Sequence, residues 1–444
     1  MNINWPSIAD ETTKLLQDLI RFDTTNPPGN EHACVQYIAD LLKKEGIDSV
    51  TYESQPTRAN LVARLKGNGA KKPFIMMGHV DVVPVEADKW THLPFGAEIH
   101  DGYLYGRGTL DMKGCDAVEI MVFILLKRLG IPLARDLILE INADEEMGGL
   151  LGAGWMVQHH PELVQAEYGL TESGGRPFPM LGKQFYVVQT AEKGQARFTL
   201  RTRGAPGHAS RPHKDNAILK LAAALQKLGA SELPLHVTNT MRRFVETVAA
   251  HVGAEGKELQ GLLDANKFAQ TLQALKMPEF QKNVIHSQFH NSIGPTILRA
   301  GSKINVIPSV AECDVDCRVV PGQRAADVER EVRAVLGDSV EIDFKPDTPG
   351  IESEPDSPLF EIIKQVIKRH TPNENLVVVP YLQVGATDAR HNTKLGTKIY
   401  GFTPTLAPIE EFSRIHGHDE RIRLSDIDFG VRVLFDVVKE FCAA

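Results

Sequence analysis

Apolar positions recur at helical spacing from Glu11 to Phe22 and from Glu31 to Lys44, on either side of the turn-rich segment Asp23-Thr24-Thr25-Asn26-Pro27-Pro28-Gly29-Asn30. The spacing predicts two opening helices. Short apolar runs follow at Phe74-Ile75-Met76-Met77, Leu137-Ile138-Leu139 and Lys398-Ile399-Tyr400, with a helical pattern from Ala117 to Leu129 between the first two. Strands alternating with helices predict a layered α/β domain. At Ala196 to Arg203 the period changes to two, with Ala196, Phe198 and Leu200 on one face and Arg197, Arg201 and Arg203 on the other. That predicts a half-exposed antiparallel strand. A helical pattern at Ala217 to Leu228, a long polar helical stretch from Met241 to Leu275, alternation through Ala311 to Val319 and a helix at Ala325 to Leu336 continue this second pattern. Leu359 to Arg369 is helical again. The expected fold class is therefore α/β, with residues 1–193 and 347–444 forming one discontinuous domain and 194–346 an inserted α+β domain.

Length and composition narrow the picture in four ways. A chain of 444 residues exceeds what one growing core accommodates, which agrees with two domains. A formal net charge of −8 leaves no basic excess to neutralise phosphates, so nucleic acid is excluded as an expected partner. The longest apolar stretch, Ile120 to Leu126, falls short of a membrane span, and MNINWPSIAD has no basic region followed by an apolar run, so a cytoplasmic protein is expected. The five cysteines, Cys34, Cys115, Cys313, Cys317 and Cys442, show no disulfide framework. Cys313 and Cys317 lie in an alternating run, which predicts buried or half-buried thiols and a reducing compartment.

Candidate chemistry gathers where strands end. His79 and Asp81 follow the Phe74 to Met77 run, at the strand edge where open α/β sheets bind ligands. They project to the same side, so Asp81 is placed to accept one ring N–H of His79 while a metal takes the other nitrogen. Alone, the pair also reads as a surface loop. Asp111 lies in the glycine-punctuated segment from Gly106 to Gly114, which also reads as a plain helix entry and lacks a phosphate-loop ending. Asp144-Glu145-Glu146, Glu172 and the pair His416 and His418 each also read as solvated turns. Together they supply nitrogen and oxygen donors without cysteine, which suits Zn²⁺, Mn²⁺ or Co²⁺ in a pair roughly 3.5–4 Å apart. A further carboxylate that binds no metal is then available to deprotonate water, a hydrolase arrangement.

The ordered motifs GHVDVVP (78–84), GRGTLDMKG (106–114), ADEEMGG (143–149), TESGG (171–175), GAPGHASRP (204–212), INVIP (304–308), CRVVPG (317–322), GATDAR (385–390) and HGHDE (416–420) run along nearly the whole chain. In this set the sequence resembles the M20 family of metallopeptidases, the group of aminoacylases, carboxypeptidase S-like enzymes and succinyl-diaminopimelate desuccinylases. The resemblance implies a catalytic metal-binding domain with an inserted dimerisation (lid) domain, and two divalent metal ions, Zn²⁺ first with Co²⁺ or Mn²⁺ as alternatives. It makes His79 and Glu172 ligands of one ion, Asp111 the bridge, Glu146 and His416 ligands of the other, Glu145 the general base and Asp81 the residue that orients His79. The family's ligating histidine stands three residues before the acidic pair, which selects His416 over His418, and its bridging aspartate precedes a cis peptide, here Asp111-Met112.

The same resemblance implies that His208 reaches the active site of a partner subunit in a homodimer and stabilises an oxyanion. It puts Asn305, Arg318, Thr387, Asp388 and Arg390 near the substrate. Lys345 stands where the glutamate-carboxypeptidase branch carries an arginine, so a preference for acidic side chains is not implied. The implied reaction is hydrolysis of an amide bond in a peptide or N-acyl amino acid through a metal-bridging water. A catalytically inactive carrier or regulatory protein of the same fold is the rival reading, and a dimetal phosphatase or nuclease is a third that lacks the expected basic groups.

Overall fold

The computed structural model describes residues 3–253, 256–373 and 375–444. The chain divides into two compact units: one comprises the chain up to Thr190 with Ser353–Tyr381 and Thr387–Ala444, the other Ala191–Glu352 with Leu382–Ala386.

The first unit is built on a mixed sheet. Its main path runs Ser49–Gln55, Arg58–Leu65, Leu137–Asn142, Phe74–His79, Tyr168–Thr171, Lys398–Gly401 and Lys183–Glu192. Phe74–His79 is parallel to both of its neighbours, and Lys398–Gly401 is parallel to Tyr168–Thr171. These central strands are buried on both faces, which is why they read as continuous apolar runs and not as alternation. Register matters more than length here. His79 lies opposite Asn142 and Met76 opposite Leu170, so the segments that follow all three strands leave from one edge of the sheet.

Helices Trp5–Ile20, Lys113–Arg128 and Leu424–Cys442 pack on one another within the core that covers this sheet. Lys113–Arg128 is buried from Lys113 to Leu126. Even the Lys113 ammonium is enclosed, donating to the carbonyls of Leu19 and Phe22 at 3.1 and 2.8 Å. The first helix begins at Trp5, earlier than its apolar pattern, because Pro6 presets a helical φ in the opening turn. Among the described residues no helix is long and apolar enough to cross a membrane.

The second unit is an antiparallel sheet covered by helices. Val310–Val319 pairs with Ser292–Ala300 on one side and Phe198–Arg203 on the other, and Phe198–Arg203 also pairs with Glu341–Phe344. Ala196, Phe198, Leu200, Cys313, Val315 and Cys317 form the inner face against helices Ala217–Gly229 and Ala325–Leu336. The outer face is ionic, with cross-strand pairs Arg197–Asp316, Arg201–Glu312 and Arg203–Glu341. All five cysteines are buried and free.

The long helix expected over Met241 to Leu275 is broken. Asn239–His251 is followed by the short pieces Gly256–Leu259, Gln260–Leu263 and Phe268–Ala274, and residues 254 and 255 of that expectation lie outside the described residues. Gly253 takes a left-handed φ of 69°, and the Asp264 side chain caps a turn by accepting from the Asn266 amide at 2.9 Å. A further helix, Glu279–Phe289, starts directly after Pro278.

The core of the first unit yields a direct test. Phe123, fully buried on the Lys113–Arg128 helix, should cost about 3–5 kcal/mol when replaced by alanine. Val50→Ala, at a position 47% exposed on an outer strand, should stay within about 0.5 kcal/mol of the unaltered protein. Urea unfolding of the two variants checks the contrast, and equal losses would contradict this core.

Candidate metal centre

The edge of the first sheet gathers imidazoles and carboxylates that the chain separates widely. His79 is the last residue of its strand and is 1% exposed. Its Nδ1 lies 3.0 Å from the Asp81 backbone carbonyl oxygen and 3.3 Å from Asp81 Oδ1. Both are acceptors, so Nδ1 carries a proton and the lone pair of the neutral ring sits on Nε2. Nε2 faces Asp111 Oδ1 at 3.4 Å and Glu172 Oε1 at 3.7 Å, yet it is buried without a hydrogen-bond partner.

Asp111 presents its other oxygen to a second group. Oδ2 lies 3.1 Å from His416 Nε2, and that same nitrogen lies 3.3 Å from Glu146 Oε1, which is also buried without a hydrogen-bond partner. Two clusters result: His79 with Glu145 and Glu172, and Asp111 with Glu146 and His416, each with ligand atoms within 4.8 Å of one another. His418 points elsewhere and contacts Glu86 at 2.9 Å. Asp111-Met112 is a cis peptide.

The electrostatics of the bare side chains are lopsided. Burial raises the Glu172 carboxyl well above the ordinary range, and the neighbouring Asp111 charge adds to it. Burial also raises Glu145, helped by Asp388 and Glu146. Hydrogen bonding to Asp111 and Glu146 lifts His416 to about 10. Burial opposes protonation of His79, but Asp111, Asp81 and Glu172 outweigh it and its pKa rises well above 6.5. Burial is the first cause for the two glutamates, and the surplus of carboxylates around the two imidazoles is the cause for the histidines. The donor set, with its buried and unpaired Nε2 and Oε1 atoms, therefore fits a pair of divalent cations.

The loops are held by carboxylates that are not members of either cluster. Asp81, fully buried, accepts from the Glu145 and Glu146 amides at 3.0 and 3.2 Å and from the Asn26 side chain at 2.7 Å. Asp144 is a structural acceptor, taking Arg58 Nη2 at 3.0 Å and the Leu151 amide at 3.0 Å. Glu420 pairs with Arg107 at 2.6 Å and accepts from the Leu110 and Asp111 amides at 2.7 and 3.2 Å.

Glycine is required at Gly149, where φ is +69° and an added Cβ would lie 2.1 Å from Asp388 Oδ1. His391 Nε2 donates to the Gly148 carbonyl at 3.0 Å, which fixes the same turn. Sequence reasoning assigned no role to Asn26, Glu420 or His391. The only available signal was their position in or beside motifs, because each acts through a contact distant in the chain.

The remaining expected residues fall into two sets. Within the first unit, Arg390 Nη2 stands 3.5 Å from Glu145 Oε1, and buried Thr387 accepts from the Ala389 amide at 3.2 Å. His208, Asn305 and Arg318 belong to the second unit. His208 is exposed on the short strand Gly207–His208, and the Asn305 carbonyl accepts from the adjacent Ala209 amide at 3.1 Å. The Ser210 amide, which only donates, lies 3.2 Å from His208 Nδ1, so the neutral ring carries its proton on Nε2. Arg318 contacts Asp316 at 2.9 Å near the far end of the Val310–Val319 strand. Lys345 is exposed beside Asp343.

Known proteins share this organisation. The chain is 30% identical over 394 residues to the N-fatty-acyl-amino acid synthase/hydrolase PM20D1 of Bos taurus, covering 84% of this chain and 75% of that one. It is 26% identical to aminoacylase-1 of Homo sapiens over 98% of this chain and 97% of that one. Among solved structures, the M20 family metallo-carboxypeptidase Sso-CP2 of Sulfolobus solfataricus superposes with a TM-score of 0.70 at 18% identity, covering 97% and 99% of the two chains, which shows a common fold. Human carnosine dipeptidase 1 does so with a TM-score of 0.68 at 16% identity over 98% and 97%. The model of peptidase family M20/M25/M40 matches residues 75–440, a span that holds both clusters, and the chain belongs to that family.

Proposed function

We propose that this protein is a metal-dependent amidohydrolase that cleaves a peptide or an N-acyl amino acid, with His79, Asp111 and Glu172 holding one divalent ion and Asp111, Glu146 and His416 the other. The observation that carries the reading is the division of Asp111, one oxygen facing His79 and the other His416. When bound, a pair of divalent ions would acidify water and polarise an amide carbonyl. Zn²⁺ suits the imidazole and carboxylate donors, with Co²⁺ and Mn²⁺ as alternatives.

Glu145 is the proton carrier. It lies beside the first cluster, its affinity for a proton is raised by burial, and Arg390 at 3.5 Å holds its carboxylate. It takes a proton from the attacking water and passes it to the departing nitrogen. Asp81 positions His79 and the two glutamates without touching substrate. Thr387 and Arg390 are proposed to line the substrate side of this carboxylate.

The second unit is proposed as a dimerisation and lid domain spanning roughly residues 194–346. Support comes from its edge strand Ser292–Ala300, where Ile297 and Leu298 are exposed, and from the exposed Ile218 and Leu219 on the Ala217–Gly229 helix. Such an apolar set fits a two-fold interface with a second copy. His208 would then donate from Nε2 to the oxyanion in the partner's site, with Asn305 beside it and Arg318 gripping a substrate carboxylate. Five free buried thiols support a reducing, cytoplasmic setting.

Three measurements test this reading. Glu145→Gln should lower kcat by about 10²–10⁴-fold while metal per chain, read by mass spectrometry, stays unchanged; a fully active variant would remove the residue from its role. Mixing inactive His208→Ala with inactive Glu145→Gln should restore part of the activity, because one site of the mixed dimer has both residues intact; no recovery in verified mixed dimers contradicts action across subunits. Glu420→Ala leaves Arg107 buried without its partner, which should cost about 3–5 kcal/mol of stability, and should weaken metal binding about 10–100-fold through a loosened Asp111 loop.

A further inference from the structure

A third group of imidazoles and a carboxylate lies in the second unit, on elements that the proposed chemistry does not use. His286 is on the Glu279–Phe289 helix and His290 directly follows it, four positions apart, so both rings fall on one side. The rings stack with centroids 4.2 Å apart and an interplanar angle of 9°. Glu232, in the connection after the Ala217–Gly229 helix, brings Oε1 to 3.1 Å from His286 Nε2 and 3.8 Å from His290 Nε2. One donor atom from each of the three lies within 4.8 Å of the other two.

Local structure prepares this group to receive a cation. His290 Nδ1 lies 3.0 Å from the His286 carbonyl oxygen, which only accepts. Nδ1 therefore carries the proton, and the Nε2 lone pair of the neutral ring is directed toward Glu232. The connection bearing Glu232 is fastened beside the helix end, since the His236 amide donates to the Phe289 carbonyl at 2.7 Å and Leu235 forms a bridge with His290.

The neighbouring charged groups are already engaged. His236 and Asn291 both contact Glu331, at 2.7 and 3.0 Å, and the Lys193 ammonium donates to the carbonyls of Ser287 and His290, each at 2.8 Å. Burial is graded across the group: the His290 side chain is 3% exposed, whereas His286 and Glu232 are 41% and 50% exposed. The enclosed imidazole thus forms the floor of an open three-donor cup.

We propose that Glu232, His286 and His290 form an additional Zn²⁺ site that clamps the connection after the Ala217–Gly229 helix to the end of the Glu279–Phe289 helix. Two imidazoles and one carboxylate supply three of the four positions zinc takes, and the fourth opens to water. The clamp is separate in sequence and in unit from the paired-metal centre, so either can fail without the other.

The test uses the full chain, freed of metal, equilibrated with excess Zn²⁺ and passed through a desalting column. Zinc per chain by mass spectrometry should be about one ion higher in the unaltered protein than in His286→Ala or Glu232→Gln. Both substitutions fall at well-exposed positions, so folding is retained. The one-ion difference should persist in a His79→Ala, His416→Ala background, which separates this site from the paired centre. Zinc should also raise the melting temperature of that background, and adding His286→Ala should abolish the rise. Equal zinc in the unaltered protein and His286→Ala overturns the proposal, as does a background chain that retains no zinc.

Discussion

Asp81 is a fully buried carboxylate whose oxygens accept the backbone N–H groups of Glu145 and Glu146 and the Asn26 amide, while the same residue faces the His79 ring. A charge so deep in the fold is tolerable only when its lone pairs are occupied by donors. The interactions that satisfy it also fix relative position: the end of one parallel strand, the turn after the next and the loop between the first two helices converge on one group. If that carboxylate moved, His79 would lose its orientation and Glu145 its backbone anchor together.

Around this tie the structure separates carboxylates by what they touch. Glu31 and Asp144 engage Arg58, and Glu420 engages Arg107, so these charges are neutralised within the protein. Asp111, Glu146 and Glu172 lack a comparable cation and crowd two imidazoles. The raised carboxyls of Glu146 and Glu172, set by burial first and by mutual repulsion next, measure that imbalance. Adjacent residues take different parts because the turn changes direction at each step. Asp144 has a left-handed φ of 71°, which sends its side chain inward to Arg58 while Glu145 and Glu146 turn toward separate clusters.

Much of this was legible from residue order. Buried parallel strands announced themselves as apolar runs at Phe74 and Leu137, and the period-two pattern at Ala196 to Arg203 gave the second sheet its inner and outer faces. The Met241 to Leu275 stretch misled, because polar helical composition continues through the turn at Asp264 and hides the breaks. Of the two candidate histidines near the C-terminus, motif spacing selected His416, and that ring is the one beside Asp111 and Glu146. Asn26, Glu420 and His391 left no comparable trace. A buried acceptor is defined by the amides that reach it, and those amides come from positions as distant as Asp111 and Glu420.

The sequence by itself determined which residue types stand at strand ends, the periodicities that separate a layered sheet from an antiparallel one, and the ordered motifs that mark the family. These are local properties, written in spacing and side-chain chemistry. Tertiary structure alone decided that His79 and Asn142 share a register, that Asp111 divides its oxygens between two clusters, and that Glu232 meets His286 and His290. Each of those depends on distances of a few ångströms between segments tens to hundreds of residues apart, which only packing of the whole chain can set.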